Sequence, residues 1–196
     1  MKRSVVKVFI IMLSLAALSI TAFTQETQKP DDKMKAEHQD MSKVEDKDFV
    51  NKVAMSGMTE VELGQLALTK TSNEDVKAFA QRMIDDHSKG NEELKTLAAS
   101  KGITLPAALG AKENKLKDDL SKLSADKFDS GYISHMVDAH DRNVALFEKE
   151  ASKGKDAETK AWAEQKLPTL KEHQKMARDI AAKLGVKISP TKAENK

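Results

Sequence analysis

Residues 103–124 read ITLPAALGAKENKLKDDLSKLS, and the length of this stretch decides how the chain folds. Pro106 and Gly110 make its first part a loop. Lys112 to Leu123 follow as a short amphipathic helix with Leu116, Leu120 and Leu123 on one side. On either side lie two long helical patterns. The first runs from Asp46 to Thr71, with Phe49, Val53, Leu63 and Ala67 on one face. Ser72 is placed to cap the second, with Asp75 three residues on, and Gly102 ends it as a left-handed cap. Ser124 is placed to cap the third, Ala125 to Ser152, which Gly154 ends. Asp156 caps the fourth, which runs to Leu184 before Gly185, and Pro168 should kink it.

Within each flanking pair only two or three residues join the helices, so each pair must form an antiparallel hairpin. The stretch between the pairs is different. A 28-residue helix is roughly 42 Å long at ~1.5 Å per residue, and a 22-residue connector carrying its own helix can run back along most of that length. The expected fold is all-α: a ferritin-like four-helix bundle over residues 46–185, two antiparallel hairpins joined by a long crossover with a short helix. No strand-like alternation occurs anywhere.

The ends of the chain read differently. Met1, Lys2, Arg3 and Lys7 begin a basic segment, Val8 to Leu18 form an apolar run, and Ser19, Thr21, Ala22 and Thr24 are small. Residues 1–24 therefore read as a secretion signal, too short to span a bilayer comfortably. Residues 25–45 read as a disordered polar tether, and 186–196 as a polar tail. Loss of the signal removes three cations, Lys2, Arg3 and Lys7, and turns the formal charge of +2 into −1. A near-neutral chain has no electrostatic draw toward nucleic acid, and with the signal cleaved no transmembrane segment is expected. The expected location is exported, in the periplasm or cell envelope. The absence of cysteine excludes disulfides, thiolate metal sites and a cysteine nucleophile.

Four polar residues recur near the middle of the four long helices, on or beside their apolar faces: Glu60, His87, His140 and His173. Equal depth on antiparallel helices would bring them together. Three imidazoles and a carboxylate suit one transition-metal ion: zinc, copper, iron or manganese. Met83 and Met136 sit four residues before His87 and His140, and Met176 three after His173. As neighbours these thioethers would favour copper, although methionine at helical spacing more often packs a core. Asp138 and Asp141 flank His140 and are candidates to orient its ring. The same four residues could equally form a ring of hydrogen-bonded core groups that sets helix register.

Three runs, EVELGQLALTKTSNEDVKAFAQRMIDDHSKGNEELKTLAASKGI, FDSGYISHMVDAHDRNVALFEKEA and LPTLKEHQK, resemble the exported bacterial family called domain of unknown function 4142. The resemblance covers residues 46–185 and rests on Glu60, Met83, Asp86, His87, Phe128, Asp129, Tyr132, His140, Pro168 and His173 in order. It implies a ferritin-like fold and supplies no established activity. Members are often named as candidate outer-membrane proteins, but a helical bundle without a spanning segment or barrel strands cannot itself be a pore. Ferritin-like iron oxidases carry Glu-x-x-His on two helices. Here Ile84 and Leu170 stand three residues before His87 and His173, so a carboxylate-bridged di-iron centre is not expected.

No phosphate loop, nucleophile elbow, dinucleotide fingerprint or zinc-protease motif is present, and the sequence leans away from an enzyme. The leading expectation is an envelope bundle that binds a metal ion or small ligand between its helices. The alternatives are a structural or protein-interaction bundle without metal, and a redox metalloenzyme using the same pocket. An envelope protein partner or a homo-oligomer is compatible with all three.

Overall fold

The computed structural model describes residues 30–188, with side chains from Glu45 onward. Its helices are α1 (Pro30–Lys70), α2 (Glu74–Ser100), α3 (Ala111–Ser121), α4 (Ala125–Lys153) and α5 (Ala157–Lys183). Among the described residues there is no strand, as the sequence requires. The signal segment expected at 1–24 and the chain from 189 onward lie outside the described residues.

Helix ends follow local chemistry. The cap of α2 is Asn73, not Ser72: its side-chain oxygen accepts the amides of Asp75 and Val76, and Thr71 Oγ1 accepts the amide of Asn73 itself. Asn is at least as good as Ser at this position, and Asn73 stands one residue closer to the helix. Asp156 caps α5 through the amide of Thr159 at 2.8 Å. Ser124 precedes α4 but makes no side-chain cap bond. Gly102 and Gly185 adopt φ of +65° and +67°. Beyond them, the amides of Ile103 and Val186 reach back to the carbonyls of Ala98 and Ala181, which uses up carbonyls that a helix end leaves unpaired.

Two expectations are corrected. The tether expected at 25–45 is helical from Pro30 as the start of α1. Its Lys, Glu, Gln, Met and Ala are good helix formers, and a proline at the first helical position gives up an amide that has no intrahelical partner. The tail expected from 186 is not polar at its start, because Val186 and Ile188 pack against the core. Helix α5 runs unbroken from Ala157 to Lys183 with Pro168 inside it.

End-to-end contacts set the helix directions. At one end, Lys70 of α1 donates to the carbonyl of Ser121, just before α4, and Lys183 of α5 pairs with Asp75 of α2. At the other, Asp46 of α1 accepts the amide of Asp156, between α4 and α5, and Lys101 beyond α2 pairs with Asp156 and Glu158. So α1–α2 and α4–α5 are antiparallel hairpins, and the 101–124 segment returns the chain along the full length of the bundle. Helix α3 packs across α1 and α4.

The interior has three layers. One apolar cluster gathers Leu63, Phe79, Met83, Phe128, Tyr132, Met136 and Ile180. A second gathers Phe49, Val50, Leu94, Val144, Phe147 and Leu170. Between them, in sequence on each of the four long helices, fall Glu60, His87, His140 and His173. Glu60, His140 and His173 are essentially fully buried. The bundle thus gives up apolar contact at its mid-level for a polar layer.

Candidate metal centre

Each histidine of this layer comes from a different helix, between residues of the two apolar clusters. A ring nitrogen of each of His87, His140 and His173 lies within 4.8 Å of one from the other two. Ring centroids are 5.3 Å apart for His87 and His173, 5.5 Å for His140 and His173, and 5.9 Å for His87 and His140. The rings are tilted or edge-on to one another, so they converge rather than stack.

Hydrogen bonding fixes which nitrogen of His140 and of His173 is free. His140 Nδ1 lies 2.8 Å from the Met136 carbonyl. A carbonyl only accepts, so Nδ1 carries the proton and Nε2 carries the lone pair. His173 Nε2 lies 2.8 Å from Asp86 Oδ2, and the Arg82 guanidinium pairs with the same carboxylate oxygen. The hydrogen bonds from Arg82 and His173 hold the Asp86 carboxyl below its ordinary range against the opposing effect of burial. It therefore accepts, and His173 Nδ1 is left with the lone pair. His87 Nδ1 stands 3.1 Å from Glu60 Oε2. The three remaining nitrogens, His87 Nε2, His140 Nε2 and His173 Nδ1, are all buried and have no hydrogen-bond partner in the protein.

Burial also keeps these rings neutral. It pushes His140 down to about 4, with lesser contributions from its neighbours. It pushes His87 well below its ordinary value, helped by the closeness of His140 and His173. His173 is lowered by burial and partly restored by Asp86. Neutral imidazole is the form that binds metal.

Glu60 does not join the trio. Its Oε1 accepts from Asn143 at 3.0 Å and from Ser56 at 3.5 Å, and its Oε2 faces the far side of the His87 ring. Burial raises the carboxyl to about 8, so in the metal-free protein it holds a proton at neutral pH. Glu60 stands behind His87, where a carboxylate orients a ligand ring, rather than among the converging nitrogens.

The expected neighbours fare differently. Met83 and Met136 are fully buried in the Phe79–Tyr132 cluster, and Met176 packs against it, so all three fill the core. Asp138 is exposed. Asp141 accepts from Gln174 and Arg178 across the α4–α5 interface. Neither holds His140, because a helical histidine reaches the carbonyl four residues back more easily than the side chains beside it. Asp86 and Asn143 are the supporting residues that sequence reasoning missed. Asp86 sits next to His87 in Met-x-x-Asp-His and four residues beyond Arg82, and its exposed ion pair hid its second contact. Nothing in the sequence marks Asn143.

Beside the trio lies a cavity of about 60 Å³. Ser56, Asn91 and Asn143 provide polar lining, Phe147, Trp162 and Leu170 apolar lining, and His87 and His173 one wall.

Solved structures share this fold at low sequence identity. A DUF305 protein from Streptomyces coelicolor, named as a candidate secreted protein, superposes with a TM-score of 0.63 at 13% identity, over 74% of this chain and 96% of its own. A DUF305 fragment from Deinococcus radiodurans superposes with a TM-score of 0.61 at 14% identity, over 72% of this chain and 95% of its own. No curated protein matches the chain. The model of the domain of unknown function DUF4142 matches residues 31–180, and the chain belongs to that family.

Proposed function

We infer that this protein binds one transition-metal ion inside its bundle through His87 Nε2, His140 Nε2 and His173 Nδ1. One observation carries the reading: three imidazoles from three helices bring ring nitrogens within 4.8 Å of one another, and each ring keeps one buried nitrogen with no hydrogen-bond partner. A buried polar atom without a partner costs about 1–3 kcal/mol. Three such atoms side by side are a standing penalty, which a bound cation removes. A set of histidines that merely fixed helix register would bond to one another or to carbonyls on both sides.

The fit is geometric as well. Tetrahedral coordination at ~2.0–2.1 Å places three nitrogens about 3.4 Å apart. Nitrogens within 4.8 Å of one another reach that spacing by small ring rotations. Three neutral nitrogens without thiolate or converging carboxylate suit zinc best, and copper or iron less specifically. With the methionines packed in the core, the thioether case for copper loses its support. Three protein ligands leave a fourth position, the arrangement that a catalytic or ligand-binding metal requires and a purely structural one does not.

An exported, envelope location completes the proposal. It is supported by the basic-then-apolar residues 1–24 and by a structural neighbour named as a candidate secreted protein. Among the described residues no helix is long and apolar enough to cross a membrane.

The test is stoichiometry. Protein stripped with a chelator and titrated with Zn(II) or Co(II) should take up one ion per chain and unfold at a higher temperature when loaded. His140→Ala should abolish uptake. A folded wild-type protein that retains no metal, or a variant that binds as tightly, would leave only a helical scaffold.

A further inference from the structure

The cavity beside the histidine trio adjoins two glycines in helix interiors, Gly57 of α1 and Gly90 of α2. Glycine inside a helix is unfavourable relative to alanine, so each position invites a local reason. At Gly57 there is a neighbour: an added Cβ would collide with the Asn91 side chain. At Gly90 there is none, because a Cβ there would meet no atom within 4 Å. Packing therefore does not demand glycine at 90.

Position 90 is special for another reason. Helical side chains lean toward the N-terminus and cover the turn before their own Cα. A side chain at 90 would lie over residues 86 and 87, on the open side of the His87 ring. His87 keeps 12% of its side chain exposed, whereas His173 keeps 1%, and His140 is fully buried. The imidazole of the trio that solvent reaches is thus the one a residue at 90 would roof over.

We propose that Gly90 is the port to the histidine trio, and that its missing side chain lets a small ligand of about two to four heavy atoms, such as a linear or planar anion, reach the fourth position of the bound metal. This rests on the metal reading above only for the ligand, not for the port. The size follows from the cavity: at ~15–30 Å³ per water-sized group, 60 Å³ holds about two to four. The polar side chains of Ser56, Asn91 and Asn143 on its wall can hydrogen-bond the outer end of such a ligand.

The test has two arms, using Gly90→Leu, with Gly90→Ala as a smaller step that raises helix propensity and secures folding. The first arm needs no metal. Exchange of the His87 ring C2 hydrogen with heavy water, followed by mass spectrometry, should slow at least fivefold in Gly90→Leu and less in Gly90→Ala, with His140 and His173 unchanged. Equal rates at His87 in all three proteins would overturn the port. The second arm uses Co(II)-loaded protein and azide, read in the visible spectrum. Wild type should bind azide, and Gly90→Leu should bind Co(II) with the same stoichiometry but azide at least tenfold more weakly. A wild-type Co(II) spectrum indifferent to azide, or one that responds equally in the variant, would overturn the ligand. Failure of wild type to take up Co(II) would refute the metal reading and the ligand with it, while the exchange arm still decides the port.

Discussion

Replacing Glu60 with glutamine should stabilise the metal-free protein, and by an amount that depends on pH. Burial raises the carboxyl from 4.5 to about 8. An acid whose folded value is raised favours the fold most below its unfolded value and loses that contribution as pH rises toward its folded value. In the unfolded chain Glu60 is ionised above pH 4.5, so at pH 7 folding must bind a proton. At about 1.36 kcal/mol per unit over 2.5 units, this costs about 3 kcal/mol, rising to about 5 kcal/mol above pH 8. Glutamine carries no such cost. Its oxygen can keep the bonds from Asn143 and Ser56, and its amide can donate to His87 Nδ1, which lies 3.1 Å from Oε2. Urea unfolding followed by far-ultraviolet circular dichroism, with chelator present, should show no gain for Glu60→Gln at pH 4.5, a gain near 3 kcal/mol at pH 7 and a larger one at pH 8. The opposite sign would refute the reasoning. If Glu60 were ionised against a protonated His87, glutamine would strand the imidazolium and destabilise the protein at neutral pH.

Asp86→Asn should weaken Zn(II) binding about 10–100-fold without unfolding the protein, since it loosens the group that orients His173; isothermal titration would read the change. Gly64→Ala should destabilise by roughly 1–3 kcal/mol in urea titrations, because its Cβ would meet Ile84 Cγ1 at 2.9 Å and the Ala80 carbonyl oxygen at 3.0 Å, and the latter is backbone that cannot swing away. Asn73→Ala should cost about 1 kcal/mol through the lost bonds to the amides of Asp75 and Val76, whereas Ser72→Ala should change little.

The sequence alone determined the long helices, their order and their pairing, though not that α1 begins at Pro30. Apolar spacing and the caps at Asp156, Gly102 and Gly185 are local signals, and the lengths of the connectors fix which helices must be neighbours. The same spacing also put Glu60, His87, His140 and His173 at one depth, because helix rise converts residue count directly into distance. What spacing could not reveal was direction. Whether Glu60 faces the histidine trio or the back of His87, and whether His140 is held by Asp141 or by the Met136 carbonyl, depends on ring rotation within a packed interior. The roles of Asp86 and Asn143, and the opening at Gly90, belong to surfaces where helices far apart in sequence meet. Those are decided by which side chains exclude which others once the hairpins have closed, and no single helix carries that information.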